Sequence, residues 1–252
     1  YYMSSELTEE YIFYIEISEF SEFDDDVTIW SGYLSENCVI TDTQVVFHGF
    51  FGEGEINKDK KSKKYKYDIY GINLFFLKEN NEYFGVLGSS IESFEVKDNK
   101  LILNLCEEET YFDEFKFDLI KKYRKNQLRL QDWCNLNEEE KKKWIEVSHW
   151  VQQYKPLDLV SSIVIDGRNI KSFNDFLCSI GEEVNGLMGY FGSSFGGLSD
   201  SLTGGIGCIT VPLNITWKYF EETKYSFNNY YTPDDFEYLI EILNEESTLK
   251  LM

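Results

Sequence analysis

The chain lacks most of what would mark a secreted, membrane-spanning or disordered protein. It has only three prolines in 252 residues, too few for a linker-rich or low-complexity chain. No run approaches the roughly 18 uncharged apolar residues that a membrane span needs. The N-terminus lacks the basic region and apolar core of a signal peptide. Glu6, Glu9 and Glu10 stand there instead, and Tyr1-Tyr2 ahead of Met3 reads as a leftover of expression. Five cysteines (Cys38, Cys106, Cys134, Cys178, Cys208) are scattered, with no CxxC pair. That pattern predicts reduced, mostly buried thiols in a cytoplasmic protein, with neither a disulfide framework nor a zinc site. Two histidines, His48 and His149, are too few for most metal or acid–base constellations. Bases are scarce as well: 24 against 45 acids gives a net charge of −21. Such a surface repels nucleic acid and anionic membranes, and it favours a basic protein partner.

What is present is a large apolar inventory. Hydrophobic residues make up 42% of the chain and aromatics 17%, enough for a proper core. The length suits one large domain or two ordinary ones. From about residue 10 to residue 117, short runs rich in Tyr, Phe, Ile and Val are broken by Gly, Asn and Asp. The runs 11–17, 27–33, 43–51, 66–77, 83–87 and 101–105 read as strands, with turns at Asn80-Asn81 and Lys97-Asp98-Asn99-Lys100. This predicts a mostly β N-terminal domain, an antiparallel sheet or small barrel. The basic stretch 119–130 is open between strand and helix. Residues 137–153 read as a helix at the end of this domain, with three Glu leading, three Lys following, and Trp144, Ile145 and Trp150 as apolar contacts. Lys155-Pro156 breaks that pattern, so the domain boundary is expected near residue 158, giving domains 1–158 and 159–252.

The second domain alternates strand and helix signals. Residues 162–165 form a short apolar run ending at the turn Asp166-Gly167. Ser172 can cap a helix whose Phe173, Phe176, Leu177, Ile180 and Val184 share one stripe. Val211, Leu213, Ile215 and Trp217 alternate with polar neighbours and Pro212, the period of a strand. Thr232-Pro233-Asp234-Asp235 is a helix start, and Phe236, Leu239, Ile240 and Leu243 form its core face. Residues 248–252 add a last strand. Strands separated by helices, without tight hairpins, imply an α/β domain with a small parallel sheet.

Several motifs fail as chemistry. Gly49-Phe50-Phe51-Gly52-Glu53-Gly54 lacks the Lys-Ser/Thr of a phosphate loop, and a strand end explains it better. Residues 58–66 hold six lysines in nine positions, a solvated loop or an anion patch. Ser148-His149 and His48 have no partners set by spacing for a catalytic triad. The acidic runs 24–26 and 107–109 lack the spaced ligands and glycine of a calcium loop. No enzyme, cofactor or metal is expected.

One set of segments is specific. Ile165-Asp166-Gly167-Arg168-Asn169-Ile170-Lys171-Ser172 is followed by Gly189-Tyr190-Phe191-Gly192 and Leu198-Ser199-Asp200-Ser201-Leu202-Thr203-Gly204. Pro212-Leu213-Asn214-Ile215-Thr216-Trp217-Lys218-Tyr219-Phe220-Glu221-Glu222-Thr223-Lys224 completes the order. Together they resemble the barstar family of intracellular ribonuclease inhibitors, over about residues 160–252 and nowhere before. The resemblance implies a three-stranded parallel sheet with helices. It also implies an immunity protein that plugs the basic active site of a nuclease toxin, most of all a ribonuclease. The implied contact segment contains Tyr190, Phe191, Gly192, Ser193, Ser194, Gly196, Gly197, Ser199, Asp200, Thr203 and Gly204, with Glu245 from the last helix. Tyr190, Gly192, Asp200, Thr203 and Gly204 match the family pattern. Phe191 replaces a tyrosine, Gly196 stands where an acid is expected, and Ser199 stands where a tryptophan is expected. Glu246 is one position from the aligned acid and nearer the core face. Three extra residues, Gly205 and Gly207 among the local additions, lie between Gly204 and Pro212. These departures point to a nuclease other than a close barnase relative. The acidic balance suits a basic target: residues 160–252 carry 13 acids and five bases, and residues 1–159 carry 32 and 19. The rival expectation is a non-inhibitory interaction protein that uses the barstar-like domain for docking.

Overall fold

Alternating apolar and polar residues turn the first half of the chain into a sheet. The computed structural model describes residues 11–19, 27–52, 70–78, 82–106, 111–155, 158–206, 208–227 and 233–252. It divides into two compact units, Tyr1–Asn126 and Gln127–Met252. In the first, the strands are β1 (Tyr11–Glu19), β2 (Val27–Ser35), β3 (Cys38–Ile40), β4 (Gln44–His48), β5 (Phe50–Gly52), β6 (Tyr70–Leu77), β7 (Tyr83–Lys97) and β8 (Lys100–Leu105). They pair antiparallel in the order β3-β4-β8-β7-β6-β1-β2-β5. Among the described residues this order is open, a sheet and not a barrel.

The β7–β8 turn has Asp98 and Asn99 at φ 50° and 58°, the left-handed pair that matches hairpin twist and that Asp and Asn tolerate. The run 43–51 is two strands, because Gly49 at φ +84° redirects the chain from a pairing with β8 to one with β2. β7 extends ten residues beyond its aromatic start at 83–87. A register shift between Ile91 and Ser93 and exposed Glu92 and Glu95 hide its alternation from the sequence.

The stretch left open between strand and helix is helical as far as residue 124. Helix α1 (Glu114–Arg124) starts at Asp113, whose carboxylate accepts from the N–H of Lys116 at 3.1 Å. Lys121, Lys122 and Arg124 complement its C-terminal dipole. Phe117 packs against Phe13 with ring centroids 5.2 Å apart, and Phe13 in turn meets Phe47 and Phe76, all of them fully buried.

The second unit begins earlier than the sequence pattern suggests. Helix α2 (Glu138–Gln152) carries an Asn137–Glu140 capping box, and its first turn packs on the C-terminal unit. Lys141 pairs with Asp175 at 2.6 Å, and Asn174 donates to Glu138 at 2.9 Å. The break at residue 155 therefore lies inside this unit, and the division of units falls after Asn126 instead of near residue 158.

Beyond α2 run β9 (Val160–Asp166), α3 (Phe173–Asn185), α4 (Phe195–Leu202), β10 (Ile209–Lys218), α5 (Phe220–Phe227), α6 (Pro233–Glu246) and β11 (Ser247–Leu251). The three strands are parallel, in the order β11-β10-β9. Ile163, Ile165, Leu213, Ile215 and Trp217 are buried along with the α3 stripe Phe173, Phe176, Leu177, Ile180 and Val184. Trp217 meets Phe176, Phe220 and Phe236, and its indole N–H donates to Thr223 Oγ1 at 3.3 Å. Thr223 in turn donates to the Gly167 carbonyl at 2.9 Å, and a Cβ at Gly167 would meet that hydroxyl at 2.1 Å. The turn glycine read from the sequence is thus fixed by close packing.

The fold class is two domains: a β domain, and an α/β domain with a three-stranded parallel sheet and helices. All five cysteines are free, Cys178 and Cys208 buried and the others half-buried. No helix among the described residues is long and apolar enough to cross a membrane. The lysine run 58–66, the acidic runs 24–26 and 107–109, Asn80-Asn81, Glu53-Gly54, Pro156, Gly207 and Thr232 lie outside the described residues.

Candidate partner-binding site

Helix α4 is short, so its caps decide its position. Ser194 accepts from the N–H of Gly197 at 3.1 Å, and this cap takes up its side-chain oxygen. At the other end the Thr203 hydroxyl donates to the carbonyls of Ser199 and Asp200, each at 3.1 Å. Gly204 turns left-handed at φ +100°, and the Gly205 N–H donates to the Asp200 carbonyl at 2.7 Å. The helix buries Leu198, Ser201 and Leu202 and exposes Gly196, Asp200 and Thr203. Against this helix opens a concavity of about 580 Å³, lined by Tyr190 of the preceding loop, Gly197, Asp200 and Ser201 of α4, and Thr203, Gly204, Gly205 and Ile206 of the turn that follows.

Five of the twelve residues expected at the site, Tyr190, Gly197, Asp200, Thr203 and Gly204, line this concavity. Ser193 and Ser194 are exposed on the loop beside it, and Gly196 is exposed, with the Ser194 hydroxyl 4.0 Å from where its Cβ would stand. Phe191 requires a correction: the resemblance places it in the contact segment, yet it is fully buried, so it anchors the loop and exposes no side chain to a partner. Gly192 is buried too, in a conformation and contact that only glycine accepts. Ser199 is engaged within the unit, donating to Glu246 Oε1 at 2.6 Å and so tying α4 to α6. Glu245 is exposed but lies outside the concavity lining, and Glu246 is the α6 acid that touches α4.

The loop that presents Tyr190 is braced from two helices. Asn185 donates to the Tyr190 carbonyl at 2.8 Å, while Gln152 Oε1 accepts from the Tyr190 N–H at 3.4 Å. The Tyr190 hydroxyl donates to Ser193 Oγ at 3.4 Å, and the His149 ring lies 4.7 Å from the Tyr190 ring. The α3 backbone meets the loop at Gly181 and Gly189, where a Cβ on Gly189 would come within 2.0 Å of the Gly181 carbonyl. Ser201, Gly205, Ile206, His149 and Gln152 are the site residues that sequence reasoning missed. Gly205 was legible as a helix stop, and the i, i+3 spacing of 149 and 152 marks one helix face. That face was assigned to the other domain.

No family model matches the chain, and no curated protein matches it.

Lys155, just past α2, donates to the carbonyls of Asn185 and Leu187 at the end of α3. Burial pushes its ammonium down to about 8 from the ordinary 10.5, against the pull of Glu182. The unfolded chain therefore holds this proton at a higher pH than the folded one. Stability contributed here rises with pH between about 8 and 10.5 and is lost again as pH falls through that window. In a Lys155→Met protein that rise is expected to disappear, which denaturant unfolding near both ends of the window would detect.

Gly192 gives a second expectation. Its φ of +105° costs any L side chain roughly 1–2 kcal/mol. A Cβ there would also meet Gly197 C and Leu198 N at 2.7 Å, driving α4 outward. Gly192→Ala should lower the melting temperature and blunt partner binding together. An unchanged melting temperature would show that the α4 contact is loose.

Proposed function

We propose that the protein is a barstar-like immunity protein that binds and inhibits a nuclease toxin of the ribonuclease class. The α3–α4 loop and α4 enter the toxin's basic active-site cleft, where Asp200 stands in for an RNA phosphate. On this reading the protein is no enzyme and acts in the cytoplasm of the cell that makes the toxin. The supporting observation is the placement of Asp200. Its side chain is exposed at the edge of a concavity, and no Lys or Arg pairs with it among the described residues. It also sits in the last turn of α4, where a carboxylate opposes the helix dipole and costs local stability. An acid kept where it weakens its own helix is suited to a cation supplied from outside. The ordered match to barstar segments, the parallel three-stranded sheet and the net charge of −21 all fit the same reading.

The mechanism is electrostatic occlusion. Opposite charge speeds the encounter, and a carboxylate desolvated against arginines gains charge-assisted hydrogen bonds. Gly196 is exposed and carries no side chain, so the partner can approach the first turn of α4 closely beside Asp200. Co-expression with ribonuclease toxins in bacteria tests the proposal: growth should be rescued, and purified complexes should show no RNA cleavage. Rescue from deoxyribonucleases alone would move the target class. Stable binding without loss of nuclease activity would replace inhibition by docking.

A further inference from the structure

The geometry points to a partner contact that extends beyond the barstar-like stretch: the tilted ring pair of His149 on α2, outside that stretch, and Tyr190 on the loop seats an arginine side chain of the basic partner. This inference rests on the reading above and deepens it by naming the chemistry at one edge of the interface.

The two rings lie 4.7 Å apart at 46°. His149 is exposed and Tyr190 half-buried, so the pair has an open side. Tyr190 also lines the concavity that holds Asp200, which places aromatic surface and carboxylate around one space. The pair is set before any partner arrives. Gln152 and Asn185 hold the N–H and carbonyl of Tyr190, and Lys155 holds the carbonyls of the α3 end just before the loop. Such preorganisation reduces the ordering cost of binding.

The residue as a whole is exposed, yet its ring is partly desolvated, which lowers the pKa of His149, so near neutrality the imidazole offers a π face and not a repelling charge. The titratable group in contact with it is Tyr190 across the ring contact; along α2 the nearest charged residue in sequence is Glu146, one turn earlier, and Lys155 past the helix end is engaged by the carbonyls of Asn185 and Leu187. A guanidinium is the cation that uses both features. It stacks flat on an aromatic face while its N–H fork remains available to a carboxylate. A lysine ammonium has no such plane.

The test uses the full-length protein and capped tetra-arginine and tetra-lysine peptides, followed by NMR of the His149 and Tyr190 ring resonances. Tetra-arginine should shift both rings saturably, and tetra-lysine should shift them less. His149→Ala should weaken tetra-arginine binding roughly two- to fivefold, the size of an exposed cation–π contact, while His149→Phe should retain it. Lowering the pH from about 7 until the imidazole protonates, below its ordinary range, should weaken binding to the parent and leave His149→Phe unaffected. Equal shifts from both peptides, or parental affinity in His149→Ala, would overturn the inference. The functional reading fails separately. If tetra-arginine seats on the pair but no ribonuclease is inhibited, the inhibitor proposal falls. If a ribonuclease is inhibited equally by the parent and His149→Ala, the arginine contact falls.

Discussion

Replacing Lys141 with methionine is expected to lower the stability of the C-terminal unit by about 3–5 kcal/mol, because it strands a buried carboxylate. Lys141 Nζ lies 2.6 Å from Asp175 Oδ1 and 2.9 Å from Glu138 Oε1. Asp175 is only 2% exposed, so water cannot replace the lost cation. Its other oxygen accepts from the Lys171 N–H at 2.9 Å, and its own N–H donates to the Ser172 cap at 3.1 Å. The ion pair thus joins the first turn of α2 to the first turn of α3.

Burial alone would lower the Lys141 pKa, but hydrogen bonds to Asp175 and Glu138 outweigh it and raise the value. Burial alone would likewise raise Glu138, yet hydrogen bonds from Lys141, Asn174 and Ser172 hold it below the usual carboxylate range. The contribution of Glu138 is therefore present above about 4.5 and lost as pH falls through its lowered value. That of Lys141 is present below 10.5 and lost as pH rises through its raised value. Lys141 and Glu138 both stay charged throughout the neutral range. A domain is stable by only about 5–15 kcal/mol, so the substitution removes a large share. Urea unfolding followed by tryptophan fluorescence reports on this unit, which holds Trp133, Trp144, Trp150 and Trp217 of the five tryptophans. Adding Asp175→Asn to Lys141→Met should restore much of the loss, since no buried charge is then left alone. A loss under about 1 kcal/mol in the single variant would mean that water reaches the pair.

Much of this fold is legible from residues that act locally. The stripe from Phe173 to Val184, the alternation from Leu213 to Trp217 and the cap at Ser172 depend on near neighbours, and the structure has them where the pattern puts them; Val211, read as the start of that alternation, is exposed. The assignment of α2 was not legible. A chain break at Lys155-Pro156 says where a pattern stops, but what decides where α2 packs is the pairing of Lys141 with Asp175 across a long sequence separation. Two such charges, each ordinary in sequence, become a structural tie only when both are buried. The extent of β7 was hidden for a related reason, since glycine and charged residues fill its open face.

The candidate site was half legible. Asp200, Thr203 and Gly204 follow from the segment itself. Phe191 and Tyr190 are adjacent aromatics that point to opposite fates, and only packing separates the buried one from the half-exposed one. Ser199 and Glu246 find each other between α4 and α6, a contact that a one-residue ambiguity in the last helix left open.

Asp200→Ala should weaken partner inhibition by about 30- to 4,000-fold while leaving the fold intact or slightly more stable. The loss follows from stranding the partner's arginines in a desolvated interface, a penalty of roughly 2–5 kcal/mol, at about 1.4 kcal/mol per decade. The family's neighbouring acid is Gly196 here, so on this face of α4 no second carboxylate can take over. The gain in stability has a separate cause. Asp200 makes no ion pair among the described residues, lies in the last turn of α4 where its charge opposes the dipole, and is a poorer helix former than alanine. The carbonyl of residue 200 keeps its bonds from Thr203 and Gly205 in either protein. A purely structural residue cannot give this signature, because losing it would lower binding and melting temperature together. Glu92→Ala, an exposed acid of the β domain, serves as the control and should slow association slightly and only at low salt. Inhibition of a rescued ribonuclease is to be titrated with the three proteins at two salt concentrations, beside thermal melts. If Asp200→Ala inhibits as tightly as the parent and Glu92→Ala is the weaker, the toxin docks on the β domain. The acid on α4 then has no partner to explain it.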